Sequence, residues 1–269
     1  MLTNTRSPKF KHFLSLKKKK ERSSEGKFII EGIHLVSEAH KLGLLDRVLY
    51  SREILRTFEG KELMKKLSAS RIQHDEVTES MIRELSEVKT PQGIIASARP
   101  RATDISSIFE DKAPLILVAC GIQDPGNLGT LIRTADAVGC SGLILSPGTV
   151  DAYNDKVIRA TSGSIFHLNI IKIDDIIGLI SAFKRRGITI IATVVGAETS
   201  YFDINYSKPT AILIGSEALG LPADICRSSD INVSIPMIGG AESLNAAVSG
   251  AIVLYEALRQ RRVNAGKAG

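Results

Sequence analysis

IPMIGGAESLNAAVSGAIVLYEALRQRR, residues 235–262, decides how this chain is read. It reads as the end of a strand, a glycine turn and a long helix. Pro236 stops the strand because proline cannot donate to the ladder, and Gly239 and Gly240 relax the backbone of the turn. Ser243 is placed to cap the helix, since its hydroxyl can accept from a free backbone N–H. Leu244, Ala247, Val248, Ala251, Ile252, Tyr255 and Leu258 recur near the helical period. Arg259, Arg261 and Arg262 suit the negative end of the helix dipole. The first half of the helix is built from small residues, Ala246, Ala247, Ser249, Gly250 and Ala251. A glycine inside a helix costs about 1 kcal/mol against alanine, so another stretch of backbone is expected to pass close by. An ordinary buried helix accounts for the apolar positions but not for polar Ser243 and Asn245 beside the turn.

Upstream, residues 114–235 alternate strand and helix. Strands are expected at 115–119, 142–145, 188–195, 211–214 and 231–235, and helices at 127–138, 155–161 and 176–186. The 115–119 run is continuously apolar, as in a strand buried on both faces. This alternation predicts a mostly parallel sheet covered by helices, whose ligands sit at the carboxyl ends of the strands.

Three glycine-containing loops follow such ends. In the first, DPGNLGTLIRTADAVG at 124–139, Asn127 is read as the helix cap, with Arg133 projecting from the second turn. A plain capped helix with a surface arginine fits that loop equally well. In the second, IGSEALGLP at 214–222, the glycines are spaced as in a P-loop, but no Lys-Ser/Thr follows Gly220. Glu217 would repel phosphate, so a cation or a hydrogen-bond donor is the better guest. The third is the turn at 237–245. GxGxxG and GxSxG are both absent, which argues against a dinucleotide dehydrogenase and an esterase.

A smaller α/β unit precedes these loops. Residues 27–98 alternate FIIEG, a helix over 34–42, RVLYS, a helix over 60–69, RIQHDEV, a helix over 78–88 and GIIASA. Residues 99–113 are charged and contain proline, and read as a linker. Residues 1–26 form a basic arm: residues 1–30 hold nine lysines and arginines against Glu21 and Glu25, which exceeds the whole chain's excess of +6. Such a cluster suits phosphate contact on nucleic acid; a solvated tail is the plain alternative.

Composition narrows the rest. The 269 residues, 43% hydrophobic and 24% charged, fit a globular protein of one or two domains. No apolar run is long enough to span a bilayer, and no apolar signal core opens the chain, so a cytoplasmic protein is expected. Cys120, Cys140 and Cys226 suggest a reducing compartment, and the five histidines form no ligand spacing with them, so no metal site is expected.

NLGxxxR at 127–133, GSExxGLP at 215–222 and IPMxGxxxSLN at 235–245 resemble, in order, the three motifs of the SpoU/TrmH family of RNA 2′-O-ribose methyltransferases. The likeness covers residues 114–262, and residues 27–98 resemble that family's ribosomal-protein-like α/β/α substrate-binding extension. It leaves 263–269 as a tail. The resemblance implies an α/β fold with a deep trefoil knot at its C-terminal end, a homodimer and S-adenosylmethionine as cofactor. The implied substrate is RNA, with large-subunit rRNA favoured over tRNA and a non-catalytic RNA-binding protein as the rival class. By the same resemblance, Gly215, Ile235, Leu244 and Thr193 contact the cofactor. Arg133 carries the chemistry, Asn127 and Glu217 orient it, and Ser243 and Asn245 serve the reacting hydroxyl or shape the cofactor loop.

Overall fold

The computed structural model describes residues 4–265. The first three residues of the basic arm and residues 266–269 of the tail lie outside it. The chain divides into two compact units, one of residues up to Ala102 with Tyr153–Phe166, the other of Thr103–Ala152 and the chain from His167 onward.

The first unit opens with α1 (Pro8–Ser15) and α2 (Lys19–Glu25). Ser7 caps α1, its hydroxyl accepting from Phe10 N at 3.3 Å, and Gly26 ends α2 in the left-handed region at φ 61°. This corrects the basic arm expected at 1–26. Phe10 and Phe13 of α1 are fully buried against Leu49, Met81, Leu85 and Ile95, so α1 is part of the core. The lysine run hid the signal, because two phenylalanines at helical spacing were outweighed by the charge around them. Then come β1 (Phe28–Glu31), α3 (Ile33–Lys41), β2 (Leu45–Tyr50), α4 (Phe58–Ala69), β3 (Gln73–Glu76), α5 (Glu79–Leu85) and β4 (Ile94–Ala98). The sheet order is β1-β4-β2-β3, with β4 antiparallel to both its neighbours and β2 parallel to β3. The helix Asp155–Thr161 also belongs here: Phe28 lies 4.7 Å from the ring of Tyr153 and 6.1 Å from that of Phe166.

The second unit holds β5 (Leu115–Ala119), α6 (Pro125–Ala137) and β6 (Gly142–Leu145). After α7, the helix 155–161 of the first unit, come β7 (Ile170–Lys172), α8 (Ile176–Arg185), β8 (Thr189–Thr193), β9 (Thr199–Ser200), β10 (Thr210–Ile214), α9 (Ala223–Ser228), β11 (Ile231–Ser234) and α10 (Ala246–Ala265). All seven strands run parallel in the order β7-β6-β5-β10-β8-β11-β9. The expected linker is partly structural: Ile108 is buried in this unit's core, and a Cβ on Gly142 would come within 2.8 Å of it.

Two expectations about helix starts are corrected. Asp124 caps α6, its carboxylate accepting from Asn127 N at 2.8 Å, so Asn127 lies inside the first turn. Pro125 explains this, because its fixed φ and missing N–H suit the first helical position. Asn245 caps α10, its side-chain oxygen accepting from Ala247 N at 2.9 Å and Val248 N at 3.2 Å. Ser243 stands before the helix, and Gly239 and Gly240 are absent from the positive-φ glycines. The face of α10 also differs from the expected one: Val253, Leu254 and Ala257 are fully buried, whereas Val248 and Tyr255 are about half exposed. Close approach occurs at Gly250, where a Cβ would stand 2.4 Å from Leu131 of α6.

The far half of α10 is pinned. Arg261 donates to the backbone carbonyls of Ala113, Pro114, Tyr206 and Lys208, and Gln260 accepts from Tyr206 N and donates to Ile204 O. No described helix is long and apolar enough to cross a membrane.

Candidate active site

β10, β8 and β11 are neighbours in a parallel sheet, so their carboxyl ends open side by side. Thr193 closes β8, Gly215 follows β10 and Ile235 follows β11. Together with the start of α10 these loops enclose a cavity of about 600 Å³. Six of the nine expected site residues line it: Thr193, Gly215, Glu217, Ile235, Ser243 and Leu244.

The loop after β10 folds back on its own stem. Gly220 N donates to Ser216 O at 2.8 Å, Ser216 N donates to Gly220 O at 3.2 Å, and Gly220 sits at φ 65°. A Cβ on Gly215 would stand 2.2 Å from the carbonyl carbon of Gly220 and 2.4 Å from Leu221 N. Backbone cannot yield as a side chain can, so only glycine fits there. The loop therefore presents main chain to the cavity.

Among the described residues, the charged ones of the cavity wall are Glu217 and Glu242, with neither lysine nor arginine. Its field favours a cation and disfavours phosphate. Thr193 Oγ1 is buried without a hydrogen-bond partner among the described residues. A buried hydroxyl left unpaired is costly, and this one belongs to a residue of the cavity wall.

Asn127 and Asn245 lie outside the lining but are tied to it. Asn127 Nδ2 donates to Glu217 Oε1, and Asn245 Nδ2 donates to Asn127 Oδ1 at 2.9 Å. One side-chain amide thus joins the helix after β5, the loop after β10 and the loop after β11. Arg133 is not brought to this group. It is exposed, makes no ion pair or hydrogen bond among the described residues, and stands six positions beyond Asn127 on α6. At 100° per residue that turns it well away from Asn127, so the expected orientation of Arg133 by Asn127 and Glu217 is absent within one chain.

Sequence reasoning passed over Asp124, which sets the first turn carrying Asn127, and Glu242, which supplies the cavity's second carboxylate. Asp-Pro-Gly before a helix was a legible capping signal; nothing about Glu242 distinguished it from a surface acid. Burial pushes the thiols of Cys120 and Cys140 up to about 12, so neither offers a thiolate at neutral pH. The described residues contain no group of three or more His, Cys, Asp or Glu able to hold a metal ion.

Comparison with known proteins gives the same picture at the level of families. Residues 114–255 match the SpoU rRNA Methylase family, and residues 7–96 match the MRM3-like substrate binding domain. The chain is 33% identical over 255 residues to the 23S rRNA (guanosine(2553)-2′-O)-methyltransferase RlmP of Bacillus subtilis, across 94% of this chain and 97% of that one. It is 30% identical over 257 residues to the 23S rRNA (uridine(2479)-2′-O)-methyltransferase of Streptomyces viridochromogenes, across 90% of this chain and 85% of that one. The crystal structure of the SpoU methyltransferase AviRb from Streptomyces viridochromogenes, in complex with AdoMet, superimposes with a TM-score of 0.86 at 30% identity, covering 96% of this chain and 99% of that one.

Proposed function

The chain belongs to the SpoU rRNA Methylase family, and from that membership we propose the part that each residue around the cavity plays. The protein is an S-adenosylmethionine-dependent methyltransferase that acts on ribose 2′-hydroxyls of ribosomal RNA. The cavity itself carries the residue assignments: it is walled by backbone at Gly215, apolar at Ile235 and Leu244, and charged only by carboxylates.

Those features suit S-adenosylmethionine. Thr193 Oγ1, buried and without a partner among the described residues, is assigned to a polar group of the cofactor, reached by a small turn of the side chain. The main chain around Gly215 holds the nucleoside, and Ile235 and Leu244 pack on the adenine. Glu217 complements positive charge. When bound, the cofactor supplies a methyl group already activated by its sulfonium. Ser243, at the mouth of the third loop, positions the incoming ribose. Asn127 and Asn245 hold Glu217 and the start of α10 in register.

Arg133 grips a phosphate beside the reacting ribose and stabilises negative charge developing on the 2′-oxygen. A guanidinium is a poor proton acceptor and a good anion clamp, so the role of Arg133 is electrostatic. Its exposed position away from its own cavity supports action on the cavity of a second copy. A homodimer belongs to this reading, and half-exposed Val248 and Tyr255, seven residues apart on α10, give it an apolar stripe. The trefoil knot is part of the same reading; the close packing of Gly250 on Leu131 supports it. So is a cytoplasmic location, since the substrate is ribosomal. Residues 27–98, with the helices before them, serve as the RNA-docking domain, and 114–262 as the catalytic one.

The test is transfer of labelled methyl from S-adenosylmethionine to total RNA, mapped by resistance to alkaline cleavage. Alkali-resistant label at one position of the large rRNA is expected. Label in tRNA alone would overturn the substrate, and RNA binding without any transfer would favour the non-catalytic class.

A further inference from the structure

Five cations scattered through the first unit's sequence meet at one end of its sheet. β1, β2 and β3 run one way and β4 the other, so the starts of the first three lie beside the end of the fourth. Lys27 precedes β1, Arg47 lies near the start of β2, Arg71 precedes β3 and Arg99 follows β4. Lys9 reaches the same place from α1. Lys9, Lys27, Arg47 and Arg71 line one open cleft of about 560 Å³ together with His12 and Asp46.

Two aspartates hold four of these cations in place. Asp46 lies 2.9 Å from Lys27 Nζ and 3.0 Å from Arg99 Nη2. Asp75 lies 2.8 Å from Lys9 Nζ and 3.0 Å from Arg47 Nη1. Each carboxylate serves two cations, so each group of three keeps a net positive charge. Burial works to raise both aspartates, but the cations hold each carboxyl below its ordinary value. His12 is engaged by Glu25 at 2.5 Å. Arg71 is exposed and has no ion pair among the described residues.

Cations already fixed by their neighbours lose less side-chain freedom when an anion arrives. His12, held by Glu25, is the one aromatic ring among the described residues of the cleft wall, so bases find little to stack on there. We propose that this end of the sheet docks the sugar–phosphate backbone of folded RNA, with Arg71 as the free grip and the two aspartate-centred groups as a fixed positive rail. The proposal rests on the RNA methyltransferase reading and carries it from a substrate class to a surface. Contacts of this kind position the RNA without choosing its sequence. The lysine run that dominates the sequence is a different surface: Lys17 is paired with Glu87 at 2.6 Å, and Lys18, Lys19 and Lys20 are exposed.

The test uses the full chain and a large-subunit rRNA transcript. RNA affinity is measured by filter binding across a range of salt, and cofactor affinity by calorimetry. Arg71→Ala/Arg99→Ala is expected to weaken RNA binding about tenfold or more and to lower the salt slope by about 2. Cofactor affinity is expected to stay unchanged, and the loss to appear in KM for RNA. Lys18→Ala/Lys19→Ala is expected to change the slope less. Undiminished RNA binding by the first variant, while the wild type transfers methyl, would overturn the surface. So would an equal loss from the lysine pair, which would show bulk charge at work. If the wild type bound RNA without transferring methyl, and the first variant lost that binding, the surface would stand and the catalytic reading would fall.

Discussion

The side-chain amide of Asn245 donates to the side-chain carbonyl of Asn127 across 2.9 Å, joining residues 118 positions apart. The direction of this bond is fixed by chemistry. Glu217 as a carboxylate can only accept, so Asn127 must turn its nitrogen to Glu217 and its oxygen to Asn245. A residue that both donates and accepts is required at 127.

Asn127→Asp keeps the acceptor and loses the donor, setting two carboxylates against each other. Turnover is expected to fall about 100-fold, the scale of a small misplacement in an active site. Lowering the pH should recover part of it, because one shared proton restores the bond between the two carboxyls. A pH–rate profile identical in shape to that of the wild type would contradict the bridging role.

Arg133→Ala is expected to abolish methyl transfer while leaving S-adenosylmethionine affinity within about twofold, because Arg133 is absent from the cavity wall. If Arg133 serves the neighbouring copy, mixing Arg133→Ala with inactive Gly215→Ala subunits should restore up to about a quarter of wild-type activity, from one intact composite site in mixed dimers. Single-turnover assays on co-expressed, differently tagged subunits read this directly. No recovery in purified mixed dimers would place Arg133 in its own subunit's site.

Thr193→Val removes a buried hydroxyl that has no partner among the described residues. Thermal stability without cofactor should hold or rise by about 1 kcal/mol. Cofactor binding should weaken several-fold. A variant that lost stability and kept full cofactor affinity would show that the hydroxyl serves the fold.

Gly215→Ala and Gly250→Ala should separate. At 215 the added methyl meets backbone, so the loop must open and cofactor binding is expected to disappear. At 250 it meets the end of the Leu131 side chain, which can move, so a stability loss of about 1–3 kcal/mol with cofactor binding retained is expected. Urea denaturation and calorimetry on the two proteins check the contrast.

The parts of this molecule that were legible in its sequence are those where local chemistry and tertiary demand agree. β5 and β6 were readable to the residue, because short apolar runs between turns leave a buried strand little choice. The three loops were readable because glycines, a carboxylate and amides stood where apolar residues would have sufficed. Asn127 and Asn245 misled for a common reason: helix starts depend on which side chain reaches a free N–H, and several candidates stood within three positions of each other. β7 and β9 left no clear pattern, being two or three residues long at the sheet's edges. The cationic end of the first sheet was invisible, since strand direction, which no composition reveals, brings Lys27, Arg47, Arg71 and Arg99 together.

Leu244, Ala246 and Ser249 belong to the cavity wall, and they come later in the chain than every other residue of it. During synthesis the sheet, α6 and the loop at 215–221 are all made before this wall exists. The cavity is therefore completed by α10, which is made after all the described strands and is fastened through Gln260 and Arg261 to segments made well before it. A chain interrupted before residue 244 carries every described strand but lacks Leu244, Ala246 and Ser249 of the cavity wall, so on the proposed assignment the pocket for the methyl donor is closed only once α10 has found its place.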